Sequence, residues 1–196
     1  MLSMMDFITP VVHRDRARWR TALIAYGVCA AISAAGFGAL LGMGGRALVQ
    51  RPIEYGAAAL PVIILVAVLH ELGIVRIPWP QRRWQVPSSW RFIEPRWIPS
   101  ALYGLLLGPG ILTYIPVATY YVLVVMAILM IDPGCAAAVF VVFAIAQLVP
   151  LYLVSRGADT FDAAAARITT WSGHRPLLHR VNGVVLAAVA VYLLCH

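Results

Sequence analysis

The sequence has little charge, no lysine and few cysteines. Only 12% of its 196 residues are charged, 62% are hydrophobic, and the mean hydropathy is +0.84. A soluble domain of this size carries about twice that share of charged residues, so the composition argues against a soluble core and predicts a polytopic membrane protein. All 15 basic side chains are arginines, and the net charge is +7.

Most motifs that carry catalysis or bind ligands are absent. The three cysteines, Cys29, Cys135 and Cys195, form no Cys-x-x-Cys pair, and an odd number leaves no closed disulfide framework. The five histidines show no His-x-x-His spacing, and neither a Ser/His/Asp order nor a phosphate-binding glycine loop is visible. We therefore expect no metal and no cofactor, and a non-enzymatic role more than an enzymatic one.

The apolar segments predict an all-α polytopic membrane helix bundle with five or six transmembrane helices. A spanning helix needs about 20 apolar residues. A basic N-terminal segment, residues 1–20, precedes a single transmembrane domain, residues 21–196. The predicted spans are about 21–43, 57–75, 100–131, 135–154 and 178–194.

The stretch from Ser100 to Met130 carries no charge, and Gly108-Pro109-Gly110 interrupts it. It is too long for one straight span, so we predict one broken helix, with two spans as the alternative. A break inside a bilayer survives only where protein or a cavity covers it, and interrupted helices build substrate sites in transporters. The alternatives are a packing kink and, for Gln147, an interhelical hydrogen bond. The predicted substrate path comprises Gly108, Pro109, Gly110, Thr113, Pro116, Gln147 and Pro150.

The end of the second predicted span carries two ionisable residues, His70 and Glu71. Ionisable groups inside a membrane are costly and often functional, so this pair is a candidate proton or metal site. The alternative is a contact of Glu71 with Arg76 or with lipid headgroups.

Residues 77–99 form a linker rich in tryptophan, arginine and proline, and its five prolines forbid a continuous helix. Aromatic rings and guanidinium groups suit the headgroup level of a membrane, and this interpretation is favoured over nucleic-acid binding. Headgroup contacts are predicted for Arg82, Arg83, Trp84, Trp90, Arg91 and Trp97.

The arginine-rich segments also predict the topology. Residues 14–20, 76–96 and 156–180 all face the cytoplasm if residues 100–131 form one span. We therefore expect a multi-pass protein of the plasma (inner) membrane with a cytoplasmic N-terminus and no cleavable signal peptide. Its expected partners are the lipid bilayer and other membrane or export-side proteins, with no nucleic acid.

From residue 55 onward, the order of these features resembles the transmembrane domain of the DsbD/CcdA thiol-reductant and cytochrome c biogenesis family. About two thirds of the chain carries the resemblance. The similarity is greatest to a cysteine-poor branch that includes proteins linked to methylamine utilisation, because Arg82-Arg83-Trp84-Gln85-Val86 precedes the glycine-rich helix. The four similar segments are Ile77–Trp90, Gly104–Gly110, Ala144–Leu151 and Leu177–Leu194.

Two departures from that family weaken the redox function that the resemblance implies. The Pro-Cys pair of the family's redox helix is Pro109-Gly110 here, and the first of its six helices has no counterpart. Thiol–disulfide exchange needs an attacking thiolate, which a glycine cannot supply. The resemblance therefore implies the scaffold more than the electron relay.

Three hypotheses about function follow. The first is a protein that assists export-side redox maturation or moves a small solute through the broken helix. The alternative is a non-catalytic structural or accessory subunit of a larger membrane complex. The third, thiol electron transfer through Cys29, Cys135 or Cys195, is the least favoured.

Overall fold

Most of the described residues are helical, and no strand occurs among them, which confirms the all-α prediction. The structure is a computed structural model that describes residues 16–48, 52–75, 77, 93, 95, 97–110, 118–130, 132–156, 166, 169–170, 177 and 179–187. Five helices are complete in this part of the chain: α1 Arg16–Leu48, α2 Pro52–Glu71, α3 Trp97–Leu107, α4 Thr119–Met130 and α5 Pro133–Arg156. Residues 179–187 form a further helical stretch, which we call the C-terminal stretch.

Helix α2 ends in a glycine-containing hydrogen-bond motif. Gly73 has φ of 76°, and its N–H donates to the carbonyl of His70 at 3.0 Å. The N–H of Ile74 donates to the carbonyl of Leu69 at 2.9 Å. These two bonds form a Schellman motif, in which a glycine adopts the left-handed conformation that other residues rarely adopt. The motif stops the helix at Glu71 and so fixes the position of its carboxylate.

Helix α5 begins at Asp132-Pro133-Gly134. The Asp132 carboxylate accepts hydrogen bonds from the N–H groups of Gly134 at 2.7 Å and Cys135 at 3.3 Å. It therefore acts as an N-cap, and Pro133 occupies the first helical position, where its missing N–H is not needed. The bonds from Gly134 and then Cys135 hold the pKa of Asp132 below its usual value.

One face of α1 is built mainly from small residues. The opposite face exposes large aliphatic side chains, including Ile24, Val28, Ile32 and Leu40. The helix therefore places its small residues inside and its large apolar residues outside. The buried positions recur every three or four residues and are Trp19, Ala22, Tyr26, Ala30, Ala34, Gly38, Gly42 and Gly45.

The chain divides into two compact units. Helices α1 and α5 contribute residues to both, α3 belongs to unit 1, and α2, α4 and the C-terminal stretch belong to unit 2. Unit 1 comprises Met1–Phe37, Arg83–Thr113 and Phe140–Gly173. Unit 2 comprises Gly38–Arg82, Tyr114–Val139 and His174–His196.

In unit 1, α3 lies directly on the backbone of α1. A Cβ added at Gly108 would lie 2.8 Å from the Cα of Ala30, and one added at Gly104 would lie 3.0 Å from the Ala30 nitrogen. The Ser33 hydroxyl donates to the carbonyl of Gly104 at 3.3 Å and lies 3.2 Å from that of Ala30. Such contacts need glycine, because any side chain would push the two helices apart.

Unit 2 has an apolar core between α2, α4 and the C-terminal stretch. Its buried members are Ile64, Ala67, Val68, Ala118, Val122 and Leu186. The part of α1 that belongs to unit 2 contacts the start of α5 through glycines. A Cβ added at Gly38 would lie 2.5 Å from the carbonyl oxygen of Ala136, and one at Gly42 would lie 2.8 Å from the Cα of Pro133.

Among the described residues, one helix is long and apolar enough to cross a membrane, and it covers Ala17–Leu48. A helix of this kind near the N-terminus is typical of a membrane span and equally of a signal sequence. The other four helices contribute shorter apolar stretches of 10–17 described residues, and these are Leu60–Glu71, Trp97–Leu107, Thr119–Leu129 and Pro133–Val149. The stretch 100–131, predicted as one broken helix, contains most of α3 and the whole of α4.

Candidate functional site

The Glu71 carboxylate is the centre of a buried polar cluster in unit 2. The residue is 5% exposed, although it lies in the last turn of an apolar helix. Its Oε1 accepts a hydrogen bond from the N–H of Ala118 at 2.5 Å, directly before α4. A negative charge is disfavoured at the end of its own helix but favoured at the start of another. The carboxylate of α2 therefore caps the N-terminus of α4.

The second carboxylate oxygen of Glu71 binds the C-terminal stretch. The Nδ1 atom of His179 lies 2.5 Å from Oε2, and the His179 side chain is 31% exposed while that of Glu71 is fully buried. The carboxylate thus joins three elements that are distant in sequence. Since an unpaired buried carboxylate is costly, both contacts stabilise its position.

A second polar pair lies beside the first. The Thr119 hydroxyl donates to Oδ1 of Asn182 at 2.7 Å. The Nδ2 atom of Asn182 is buried and meets no acceptor among the described residues. Thr119 follows Ala118, and Asn182 lies one helical turn after His179. These four residues and Glu71 therefore form one cluster, which we call the Glu71 cluster.

His70, which we predicted to act together with Glu71, points to a different partner. Its Nδ1 accepts a hydrogen bond from the N–H of Ile77 at 3.2 Å. Arg76, the alternative partner predicted for Glu71, lies outside the described residues. Among the described residues there is no group of three His, Cys, Asp or Glu side chains that could hold a metal ion. The interactions that the structure shows in the Glu71 cluster are hydrogen bonds.

The predicted break at Gly108-Pro109-Gly110 is the end of α3. The N–H of Gly108 donates to the carbonyl of Gly104 at 2.9 Å, and the N–H of Gly110 donates to the carbonyl of Leu107 at 3.0 Å. Gly110 has φ of 76°, which suits glycine. Gly108 and Gly110 are both buried, and the atoms nearest to an added Gly108 Cβ belong to α1. Gly108 thus serves a helix contact in unit 1.

The remaining residues of the predicted substrate path are placed only in part. Gln147 lies in α5, and its Nε2 is buried without a hydrogen-bond partner among the described residues. Pro150 lies inside the same helix, and its side chain is outside the described part of the structure. Thr113 and Pro116 are also outside the described residues. The interhelical hydrogen bond that we considered for Gln147 therefore does not involve this nitrogen among the described residues, and it stays a prediction.

The predicted headgroup contacts fall almost entirely on residues that the structure does not describe. Trp97 begins α3 and is 47% exposed, and its headgroup contact stays a prediction. The others, Arg82, Arg83, Trp84, Trp90 and Arg91, lie outside the described residues, so their role stays a prediction.

Sequence reasoning missed His179 and Asn182. The signal was the helical spacing of His179, Asn182, Gly183 and Leu186, which places them on one face of the C-terminal stretch. All four face unit 2, whereas Val181, Val184 and Val185 are exposed.

Comparison with known proteins gives relatives with one shared name. Methylamine utilization protein MauF of Methylorubrum extorquens is 34% identical over 115 residues, which are 58% of this chain and 40% of the relative. MauF of Paracoccus versutus is 40% identical over 99 residues, 50% of this chain and 36% of the relative. MauF of Paracoccus denitrificans is 38% identical over 105 residues, 52% of this chain and 37% of the relative.

The chain spans less than half the length of these relatives, so the similarity concerns one part of them. No protein-family profile matches the chain. No solved structure matches it either.

These relatives overturn the assignment to the DsbD/CcdA family. The proteins that match carry the methylamine utilization name and not a cytochrome c biogenesis name. We predicted that the chain assists redox maturation or transports a solute, and this prediction is therefore wrong. The description of the chain as DsbD-like and cytochrome c biogenesis-like is wrong for the same reason. The sequence already argued against the redox function, because Pro109-Gly110 stands where the family's redox helix has a Pro-Cys pair.

Proposed function

We propose that this chain is a membrane-embedded accessory protein of methylamine utilisation, without a catalytic centre of its own. The observation that carries the proposal is the shared name of its relatives, which are 34–40% identical over 99–115 residues. It corresponds to the alternative that the sequence left open, an accessory subunit of a larger membrane complex.

The distribution of polar and apolar residues supports the membrane part of this proposal. Glu71 and Ser100 are buried, whereas large aliphatic side chains such as Val28, Leu65 and Val184 are more than half exposed. Water-soluble proteins keep charged groups outside and rarely expose extended apolar faces. In a bilayer, lipid covers the apolar faces and polar groups turn toward neighbouring helices. We therefore infer a multi-pass protein of the inner membrane.

Close helix contacts through glycine support the same inference. Membrane helices associate by packing small residues together, because burying apolar surface gives no advantage in lipid. Gly104 and Gly108 of α3 make such contacts with α1 in unit 1, and Gly38 and Gly42 of α1 make them in unit 2.

Growth on methylamine tests the proposed role in methylamine utilisation. The gene is deleted in its host, and growth is compared with methylamine and with ammonium as the nitrogen source. We expect growth to fail on methylamine alone and to recover when the chain is supplied from a plasmid. Equal growth of the deletion strain on both nitrogen sources would overturn the proposal.

Purification tests the accessory role. The tagged chain is isolated in mild detergent from membranes of methylamine-grown cells, and its companions are identified by mass spectrometry. We expect one or more membrane proteins in stoichiometric amounts. A lone, stable monomer from cells that depend on the chain for growth would contradict an accessory subunit.

A further inference from the structure

We propose that the contact between Glu71 and His179 is a latch, which holds the C-terminal stretch against α2 and α4. Its release frees that stretch while the rest of unit 2 stays folded. The inference concerns unit 2 alone and is independent of the proposed function.

The latch has an immobile part and a mobile part. Glu71 is fixed from two sides, because the Schellman motif ends its helix and the N–H of Ala118 binds its Oε1. The Glu71 side chain is fully buried, whereas the ring of His179 is 31% exposed. The carboxylate therefore stays in place, and the imidazole is the partner that can leave.

The contacts of the C-terminal stretch with other described residues lie on one of its faces. His179 binds Glu71, Asn182 binds Thr119, and Leu186 enters the apolar core. A Cβ added at Gly183 would lie 3.2 Å from Leu72 and 3.4 Å from the Cβ of Glu71, so the stretch lies directly over the end of α2. The face opposite these contacts, with Val181, Val184 and Val185, is exposed.

The remainder of unit 2 also has contacts that do not involve the C-terminal stretch. Helices α2 and α4 pack directly against each other, and Ile64, Val68 and Val122 belong to their shared core. The start of α5 contacts α1 through Gly38 and Gly42. Loss of the His179 contact removes one of the two hydrogen bonds that hold the stretch, and it leaves these contacts in place. Local opening of a weakly held segment is the expected result.

Cysteine accessibility tests the latch. Cys29, Cys135 and Cys195 are replaced by serine, and a reporter is introduced by Ala187→Cys, a partly buried position on the stretch that packs against the core. A reference is introduced separately by Ala136→Cys, a fully buried position in the same unit. Reaction rates with N-ethylmaleimide are measured in detergent by mass spectrometry.

His179→Ala is expected to raise the labelling rate at the Ala187→Cys reporter at least about tenfold, and to leave the Ala136→Cys reference within about twofold. His179→Asn is expected to restore a slow rate, because the asparagine amide places a donor near the position of Nδ1. Arg180→Ala, at the exposed neighbouring position, is the matched control and should change neither rate.

Three results would each overturn the latch. The first is an unchanged rate at the Ala187→Cys reporter in His179→Ala. The second is an equal rise at both positions, because unit 2 would then open as a whole. The third is equal labelling in His179→Asn and His179→Ala, because packing of the ring would then matter and its hydrogen bond would not.

Discussion

Two sites in the molecule hold helices together in opposite ways. One is the contact between α1 and α3 in unit 1, and the other is the Glu71 cluster in unit 2. In unit 1, Gly104 and Gly108 remove side chains so that two backbones touch. In unit 2, a buried carboxyl group joins three elements through hydrogen bonds with Ala118 and His179. The first contact is sensitive to added volume and the second to a lost hydrogen bond. Substitutions can therefore distinguish them.

The largest effect is expected for Gly108→Leu in unit 1. The new side chain would meet the Ala30 backbone, which cannot move away without separating the helices, so stability should fall by about 3 kcal/mol or more. Thermal unfolding in detergent measures it. Gly36→Leu is the matched control, because a Cβ at that position meets nothing within 4 Å. Similar unfolding temperatures for both variants would contradict the close contact.

Glu71→Ala should have the next largest effect, about 2–3 kcal/mol, because it leaves the Ala118 N–H and the His179 ring without their acceptor. Glu71→Gln keeps an acceptor for Ala118 and should lose less. Unfolding by denaturant measures both variants, and Leu65→Ala, at a position 55% exposed, is the control. A loss no greater than that of Leu65→Ala would show that the carboxylate is not satisfied as described.

Thr119→Val should cost about 1 kcal/mol, because it leaves Oδ1 of Asn182 without its donor. A double-mutant cycle with Asn182→Ala measures the pairwise coupling. We expect the two losses to be less than additive. Strict additivity would mean that the two side chains do not interact.

The smallest effect is expected at Asp132, which is exposed and caps α5. Its pKa is lowered in the folded protein, so its stabilising contribution is complete above the unfolded value of about 3.9 and disappears as the pH falls through the lower folded value. Asp132→Ala should therefore lower the unfolding temperature slightly at neutral pH and make no difference in strong acid. Asp132→Asn, which also caps helices, should change little at neutral pH. A difference for Asp132→Ala that grows on acidification would contradict this assignment.

The sequence predicts the helices better than their contacts. Apolar length placed the first span at 21–43, within the observed Arg16–Leu48. The glycines at 108 and 110 marked the point where α3 ends. Both are local properties, since apolar runs and glycine conformations act over a few residues.

The tertiary partners could not be read from local patterns. The richness of α1 in alanine and glycine suggested packing on several sides, yet the structure buries one face and exposes the other. The sequence repeats Gly-x-x-x-Gly at 38–42 and 104–108, and glycine-rich helices produce such matches by chance. Only the structure shows that the first motif lies against the backbone of α5 and the second against the backbone of α1.

The partner of Glu71 was hidden for a similar reason. His179 lies 108 positions away, and one histidine among apolar residues has no distinctive pattern. Arg76 was nearer in sequence and opposite in charge, so it was the natural expectation. Tertiary packing of the C-terminal stretch brings His179 to Glu71, and the contact with Arg76 stays a prediction.

The most direct test of a membrane-embedded protein is whether its exposed apolar faces lie in lipid. Nitroxide labels are attached after Val28→Cys in unit 1 and Val184→Cys in unit 2, positions 52% and 64% exposed, in a chain without its native cysteines and reconstituted in vesicles. Electron paramagnetic resonance then compares collisions with oxygen, which dissolves in lipid, and with a polar nickel complex, which stays in water. We expect high oxygen and low nickel accessibility at both positions. Nickel accessibility close to that of a free label in buffer would contradict a membrane-embedded protein.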